Sequence, residues 1–260
     1  MNLTKLRKSI FSKSVLRGLV AVAGLILLWE LGRRLKLPGL AAVPAPSEVY
    51  GAFLSNLSEP KYWEHWSASF TRVFWGFLAA QIIGIPLGLM MAMSRAFHAT
   101  TFPMLEIMRP IPPLAWVPTS IIFWPTTEAS IAFVIFLGAF FTVVVNVIGS
   151  ARNIDVRYLR AAQSLGSRRS DIFFRIILPA VLPGIVIGMA VGMGITWEVV
   201  VAAEMIAGKS GLGYLTWSSY VGGNYPQIII GMISIGIAGY ISSSLIRLLG
   251  RRATPWQRTL

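Results

Sequence analysis

The sequence predicts an all-α fold: a polytopic membrane helical bundle of about six transmembrane helices, with a short helix in one cytoplasmic loop. Three observations carry this. Of the 260 residues, 55% are hydrophobic and only 13% are charged, against ~45–50% and ~25% in soluble domains. Mean hydropathy is +0.68. The apolar residues also gather in uncharged runs near the ~20-residue length that crosses a bilayer. These figures rule out a disordered chain and argue against an ordinary cytosolic enzyme.

Six runs are predicted spans. The first covers about Gly18 to Leu31, and the second Val73 to Met93. The third, about Thr100 to Trp124, is interrupted by Glu106, Arg109 and several prolines. The fourth is Ala129 to Ser150, the fifth Ile176 to about Ala207, and the sixth Ile228 to Ile246. The first run follows Lys5, Arg7, Lys8, Lys13 and Arg17, as a signal peptide would, with Ala41-Ala42-Val43-Pro44 as a cleavage region. Arg33, Arg34 and Lys36 follow the run directly and do not suit that reading.

Positive charge sets the orientation. With the N-terminus in the cytoplasm, residues 1–17, the turn at Arg95, the loop 151–175 and the tail hold sixteen Lys or Arg. The opposite side holds six: Arg33, Arg34, Lys36, Lys61, Arg72 and Lys209. The cluster Arg33 to Lys36 is a local exception. The expected division is a basic cytoplasmic segment 1–17, a membrane domain 18–250 and a cytoplasmic tail 251–260, with both termini inside. The net charge of +13 then reflects cytoplasmic loops and membrane lipid rather than nucleic acid.

The chain has no cysteine and two isolated histidines, His65 and His98. No metal site, no disulfide and no catalytic constellation is predicted. Gly84 with Gly88, and Gly184 with Gly188 and Gly192, form small-xxx-small pairs that let helices approach closely. Packing within one subunit and dimerisation are both open uses of them.

Between spans four and five, Asn153 or Asp155 can cap a helix and Gly166 can end it. Ile154, Tyr158, Ala161, Ala162 and Leu165 follow helical spacing on one face; Arg157, Arg160, Ser164 and Arg168 fall on another. The small Ala161–Ala162 surface would admit close approach by another protein. An interfacial helix on lipid headgroups is the alternative.

Ala161-Ala162, Gly166, Ile176 and Leu178-Pro179 have the spacing of the EAA loop, and the chain here resembles binding-protein-dependent ABC importer permeases. Arg160 stands where that pattern has glutamate. Arg109 to Pro118, Val201 to Met205 and Ser210 to Leu215 resemble one branch, the nitrate, taurine, alkanesulfonate and bicarbonate permeases; Pro44 to Val49 and Ser69 to Val73 are weaker matches. Trp124-Pro125-Thr126-Thr127 departs from it. The resemblance implies a type I permease subunit in the bacterial inner membrane that forms the pathway for a small anion. It implies a second permease subunit as a homodimer partner, two cytoplasmic ATPase subunits on the loop helix (Tyr158, Arg160, Ala161, Ala162, Gly166), and a periplasmic or lipid-anchored substrate-binding protein. ATP and magnesium are expected in the ATPase partner, and no cofactor in this chain. Gly208-Lys209-Ser210 ends like a phosphate-binding loop, but residue 203 is Ala where that loop needs Gly.

Charges inside spans are costly and usually face a bundle interior or water. Arg109, Glu198 and Glu204 as intramembrane charges, and Trp116 beside the proline break, are the expected pathway residues; structural pairing or interfacial placement is the alternative for the two glutamates. Pairing of Arg109 with Glu106, three residues back, is the structural alternative. An ion-coupled secondary transporter using Glu198 and Glu204 as relays is the alternative function.

Overall fold

The computed structural model describes residues 13–39 and 43–256. The first twelve residues of the basic N-terminal segment, the Ala41-Ala42 part of the cleavage region considered above, and the end of the tail lie outside them. All the regular structure among the described residues is helical. Helix α1 spans Lys13–Arg34, α2 Pro46–Leu57, α3 Pro60–Met93, α4 Arg95–Met108, α5 Val117–Phe123, α6 Thr127–Arg152, α7 Val156–Ser164, α8 Arg169–Ala207, α9 Leu212–Val221 and α10 Tyr225–Ala253. A 3-10 turn, Pro113–Trp116, precedes α5. A π turn, Phe173–Ile177, sits near the start of α8.

The helix starts follow local chemistry. The Ser94, Thr126, Asp155 and Asn224 side chains accept the Phe97, Ala129, Arg157 and Gln227 N–H groups, which otherwise have no intrahelical acceptor. Pro60 and Pro226 occupy first-turn positions, where no N–H is needed.

Among the described residues, four helices are long and apolar enough to cross a membrane: α3, α6, α8 and α10. These are the second, fourth, fifth and sixth predicted spans. The first predicted span is helical as α1. The third predicted span is not one helix. Pro110, Pro112 and Pro113 remove donors and clash with a preceding turn, so the chain breaks into α4, the 3-10 turn and α5. The pieces still run from one end of the bundle to the other. His98 in α4 meets Arg152 at the end of α6, whereas Ser130 at the start of α6 donates to the Ser120 carbonyl beside α5.

Helix α6 is the axis of the bundle. Val134, Ile135, Val143 and Val147 are fully enclosed, with α3 on one flank and α8 on the other. Lipid tails are as apolar as leucine, so packing in a membrane rests on close fit. The glycine pairs supply that fit within the subunit. A Cβ on Gly88 would lie 2.8 Å from Val147 Cβ, and one on Gly188 2.7 Å from Asn146 Cβ. Gly84 meets Phe140 and Val144; Gly192 meets Val143 and Ala139. Adding a methyl group at Gly88 or Gly188 must separate the helices.

Helix α10 runs back along α8, with Gly239 against Trp197 and Gly250 against Val186. The end of α10 therefore shares the end of the bundle that holds α7. The opposite end carries the α3, α6 and α9 starts. Helix α1 is bound to the body mainly through Glu30, whose carboxylate accepts the Ser47 N–H and hydroxyl at 3.1 Å.

Candidate functional site

Three places hold the residues that the sequence singles out: the α7 loop, a groove along α6, and a buried ionic cluster at the end opposite α7.

Helix α7 starts on Asp155, whose carboxylate accepts the Arg157 N–H at 2.9 Å and the Arg157 Nε at 2.8 Å. The Arg157 side chain first, and then its N–H, hold the Asp155 carboxyl below the usual carboxylate range. The helix ends at Gly166, at φ +77°. There the Gly166 N–H bonds the Gln163 carbonyl and the Ser167 N–H bonds the Ala162 carbonyl, both at 3.0 Å. This pair of bonds is a Schellman stop, which requires a left-handed residue.

The two alanines do not share a fate. Ala162 is buried, with Leu159 and Ile172 toward the membrane body, whereas Ala161 is open. Tyr158 is 66% exposed and Leu165 85% exposed. Ala162 thus departs from the single face expected for it: at 100° per residue, neighbouring positions diverge, and the bundle takes one of them. Arg160 points outward with Ala161.

The groove has a volume of about 390 Å³ and is lined by Arg109, Pro113, Thr142, Asn146 and Ile195 among others. Arg109 caps α4 and is exposed, and none of the described ion pairs joins it to Glu106. The structural alternative for Arg109 is therefore not formed. Thr142 and Asn146 are one turn apart on α6, and the Asn146 amide donates to the Thr142 carbonyl at 2.8 Å. Trp116 is half-buried at the end of the 3-10 turn that begins at Pro113, and its indole N–H is enclosed without a partner. Glu198 is exposed on α8, one turn beyond Ile195.

Glu204 stands apart from this groove. It is fully buried and accepts bonds from Arg72 Nη1 at 2.7 Å, Ser69 Oγ at 2.8 and 2.9 Å, and the Gly213 N–H at 2.9 Å. Arg72 is 4% exposed and binds Glu128 through Nε and Nη2, both at 2.6 Å. Its remaining bonds go to the Ser210 carbonyl at 2.7 Å and hydroxyl at 3.1 Å. Five donor bonds match the five N–H groups of a guanidinium. Nearby, the Gly211 N–H donates to His65 Nδ1 at 3.1 Å. A side chain at Gly211, where φ is +114°, would enter the Glu204 carboxylate. The cluster ties α3, α6, α8 and α9 together, and it leaves Glu204 no access to a water-filled route.

In the sequence, Arg72 figures as an outside charge and, with Ser69, in a weaker family match, and His65 as an isolated histidine; Glu128 carries no signal, and nothing there joins any of them to Glu204. One signal was present: Arg72 immediately precedes the uncharged run of the second span, where an unpaired charge is costly.

A family described as "binding-protein-dependent transport system inner membrane component" matches residues 84–258. The taurine transport system permease protein TauC of Escherichia coli K12 is 32% identical over 250 residues, covering 94% of this chain and 91% of its own. The nitrate import permease protein NrtB of a Synechocystis strain is 32% identical over 252 residues, covering 95% and 92%. A solved structure of the MetNI methionine ABC transporter, in an inward-facing conformation, superposes with a TM-score of 0.62 at 21% identity, covering 76% of this chain and 98% of its own.

Proposed function

The chain belongs to the family of binding-protein-dependent transport system inner membrane components, and from that premise we propose that it carries a small anion through the groove beside Arg109. It is a permease subunit of an ATP-driven importer in an inner membrane, and ATP hydrolysis is done by a partner ATPase. The ion-coupled alternative loses its support, since the energy source is ATP and Glu204 is sealed in an ionic cluster.

The anion is one such as nitrate, bicarbonate, taurine or another sulfonate. The observation that carries this reading is Arg109: an exposed guanidinium without an acidic partner among the described residues, on a groove shared with Thr142 and Asn146. A planar fork of donors matches oxyanion geometry. At ~4 Å and an effective dielectric near 20, its attraction for an anion is roughly 4 kcal/mol before desolvation. Trp116 positions the broken segment and Glu198 guards the same groove wall, while Glu204 acts as a structural anchor. A second copy of this chain closes the open side of the groove. The relatives printed as taurine and nitrate permeases support the anion class.

Two cytoplasmic ATPase subunits dock on α7 through Tyr158, Arg160 and Ala161, with Ala162 and Gly166 fixing its seat. They hold the ATP and magnesium. A periplasmic or lipid-anchored protein delivers the anion at the opposite end. Both termini lie in the cytoplasm, which agrees with α10 ending beside the α7 end of the bundle.

The test is anion uptake by vesicles containing the importer with Arg109→Gln, Arg109→Lys or Glu106→Gln. Arg109→Gln is expected to lower uptake by on the order of tenfold or more, Arg109→Lys by less, and Glu106→Gln not at all. Equal loss in the two neutral variants, with recovery in the double variant, would withdraw Arg109 from the pathway.

A further inference from the structure

The groove on α6 offers more than a cation. Arg109 brings five N–H donors and no acceptor. The other two polar side chains on its lining are Thr142 and Asn146, and both have spent donors rather than acceptors. The Thr142 hydroxyl donates to the Gly138 carbonyl at 3.2 Å, which leaves only oxygen lone pairs. The Asn146 amide nitrogen donates to the Thr142 carbonyl at 2.8 Å.

That nitrogen is also the side of the amide turned toward α8. A Cβ on Gly188 would stand 3.6 Å from Asn146 Nδ2, nearer than to the amide oxygen. Asn146 Oδ1 accepts no hydrogen bond among the described residues, yet it is not one of the enclosed, unpartnered atoms as Trp116 Nε1 is. The wall beside the exposed guanidinium of Arg109 therefore carries an open acceptor, with a second acceptor one turn away on the same helix.

We infer that the groove selects an oxyanion bearing its own hydrogen-bond donor, an N–H or an O–H, and that Asn146 Oδ1 is the selecting acceptor. The inference rests on the Arg109 groove being the route of the anion. The charged oxygens meet Arg109, and the ligand's donor meets Asn146, with the Thr142 hydroxyl oxygen beside it. An anion with acceptors alone finds one partner here and turns electron-rich atoms toward two others. The distinction divides solutes that Arg109 treats alike. Taurine and bicarbonate bring a donor; nitrate and an unsubstituted alkanesulfonate do not. Sites built to bond a ligand N–H or O–H reject analogues that lack it, because the site's own polar group is then left unpaired.

The chain has no cysteine, so Val145→Cys, on the same lining, gives a reporter that leaves Arg109, Thr142 and Asn146 in place. The importer, permease with its ATPase and without a binding protein, is alkylated with neutral N-ethylmaleimide at constant ionic strength. Modification of the permease is followed by mass. Two pairs of solutes compete with the reagent: taurine against ethanesulfonate, which differ by an ammonium, and bicarbonate against nitrate, planar anions that differ by a hydroxyl. In at least one pair the donor-bearing member should protect at about three- to tenfold lower concentration, the discrimination of one net hydrogen bond. The pair that shows it identifies the donor as ammonium or hydroxyl. Asn146→Ala should bring that pair together without moving the donorless member, and Arg109→Gln should abolish protection by all four. Equal protection within both pairs, tighter protection by the donorless members, or a preference that survives Asn146→Ala overturns the inference; Arg109 keeps its place in the route if Arg109→Gln still abolishes protection. Protection by none of the four, or protection unchanged in Arg109→Gln, removes the Arg109 reading and this inference with it. The comparison within each pair needs no change at Asn146, so a misfolded Asn146→Ala does not end the test.

Discussion

The two ends of the bundle solve opposite problems. At one end, Arg72 is buried with every donor bonded, and Glu204 is met by a guanidinium, a hydroxyl and a backbone N–H. At the other end, α7 keeps Tyr158 and Leu165 exposed and buries little beyond Ala162. The first region is complete within one chain. The second is finished only by something that covers it. The contrast teaches that burial of charge marks a fixed joint here, whereas the exposed face of α7 is where we propose that a partner subunit docks.

The largest expected effect lies in the complete end. Arg72→Met leaves Glu204 buried and unpaired, a situation that costs about 3–5 kcal/mol. Thermal unfolding of the purified permease should show a large loss of stability, with partial recovery in Arg72→Met/Glu204→Leu. Glu128→Gln should cost much less, since Glu128 is 64% exposed and such pairs contribute ~0–1 kcal/mol. Equal losses from Glu128→Gln and Arg72→Met would mean that the cluster is not anchored on Glu204.

The α7 end sharpens the comparison by separating stability from assembly. Ala162→Arg forces a long charged side chain between α7 and the bundle and should cost about 1–3 kcal/mol or more by overpacking. Ala161→Arg should leave stability within ~0.5 kcal/mol yet reduce ATPase recovered with the permease. If Ala161→Arg retains its ATPase and transports normally, the exposed face is not the docking face. Gly166→Ala falls between them: a left-handed non-glycine residue costs roughly 1–2 kcal/mol, and coupling of hydrolysis to transport should fall more than unfolding temperature.

The smallest perturbation tests sidedness alone. Because the chain has no cysteine, single cysteines at Ser164 and Ser58 report cleanly. Membrane-impermeant reagent should label the first only from the cytoplasm and the second only from outside. Labelling of both from one side rejects the proposed orientation.

Much of this architecture was legible in the sequence because lipid imposes a simple rule. Long uncharged runs become long helices, and α3, α6, α8 and α10 follow it. The third crossing obeys it only in part. Its prolines announce a break, but where the pieces go depends on contacts such as Ser130 with Ser120. The glycine pairs showed that helices approach closely without showing that α6 is the partner. Helical spacing could not decide which of Ala161 and Ala162 faces the bundle, since they are adjacent in sequence. Least legible was the pairing of Arg72 with Glu204, because 132 residues separate them.

That separation also sets a clock. At a synthesis rate of ~5–20 residues per second, Arg72 leaves the ribosome on the order of ten seconds before Glu204 exists. Glu128 arrives sooner, 56 residues after Arg72, and is the first of its two carboxylate partners to be made. Its other partners, Glu204 and Ser210, are made only with the end of α8 and the turn that follows it. A chain interrupted before that turn lacks the acceptors for three of the five Arg72 donor bonds.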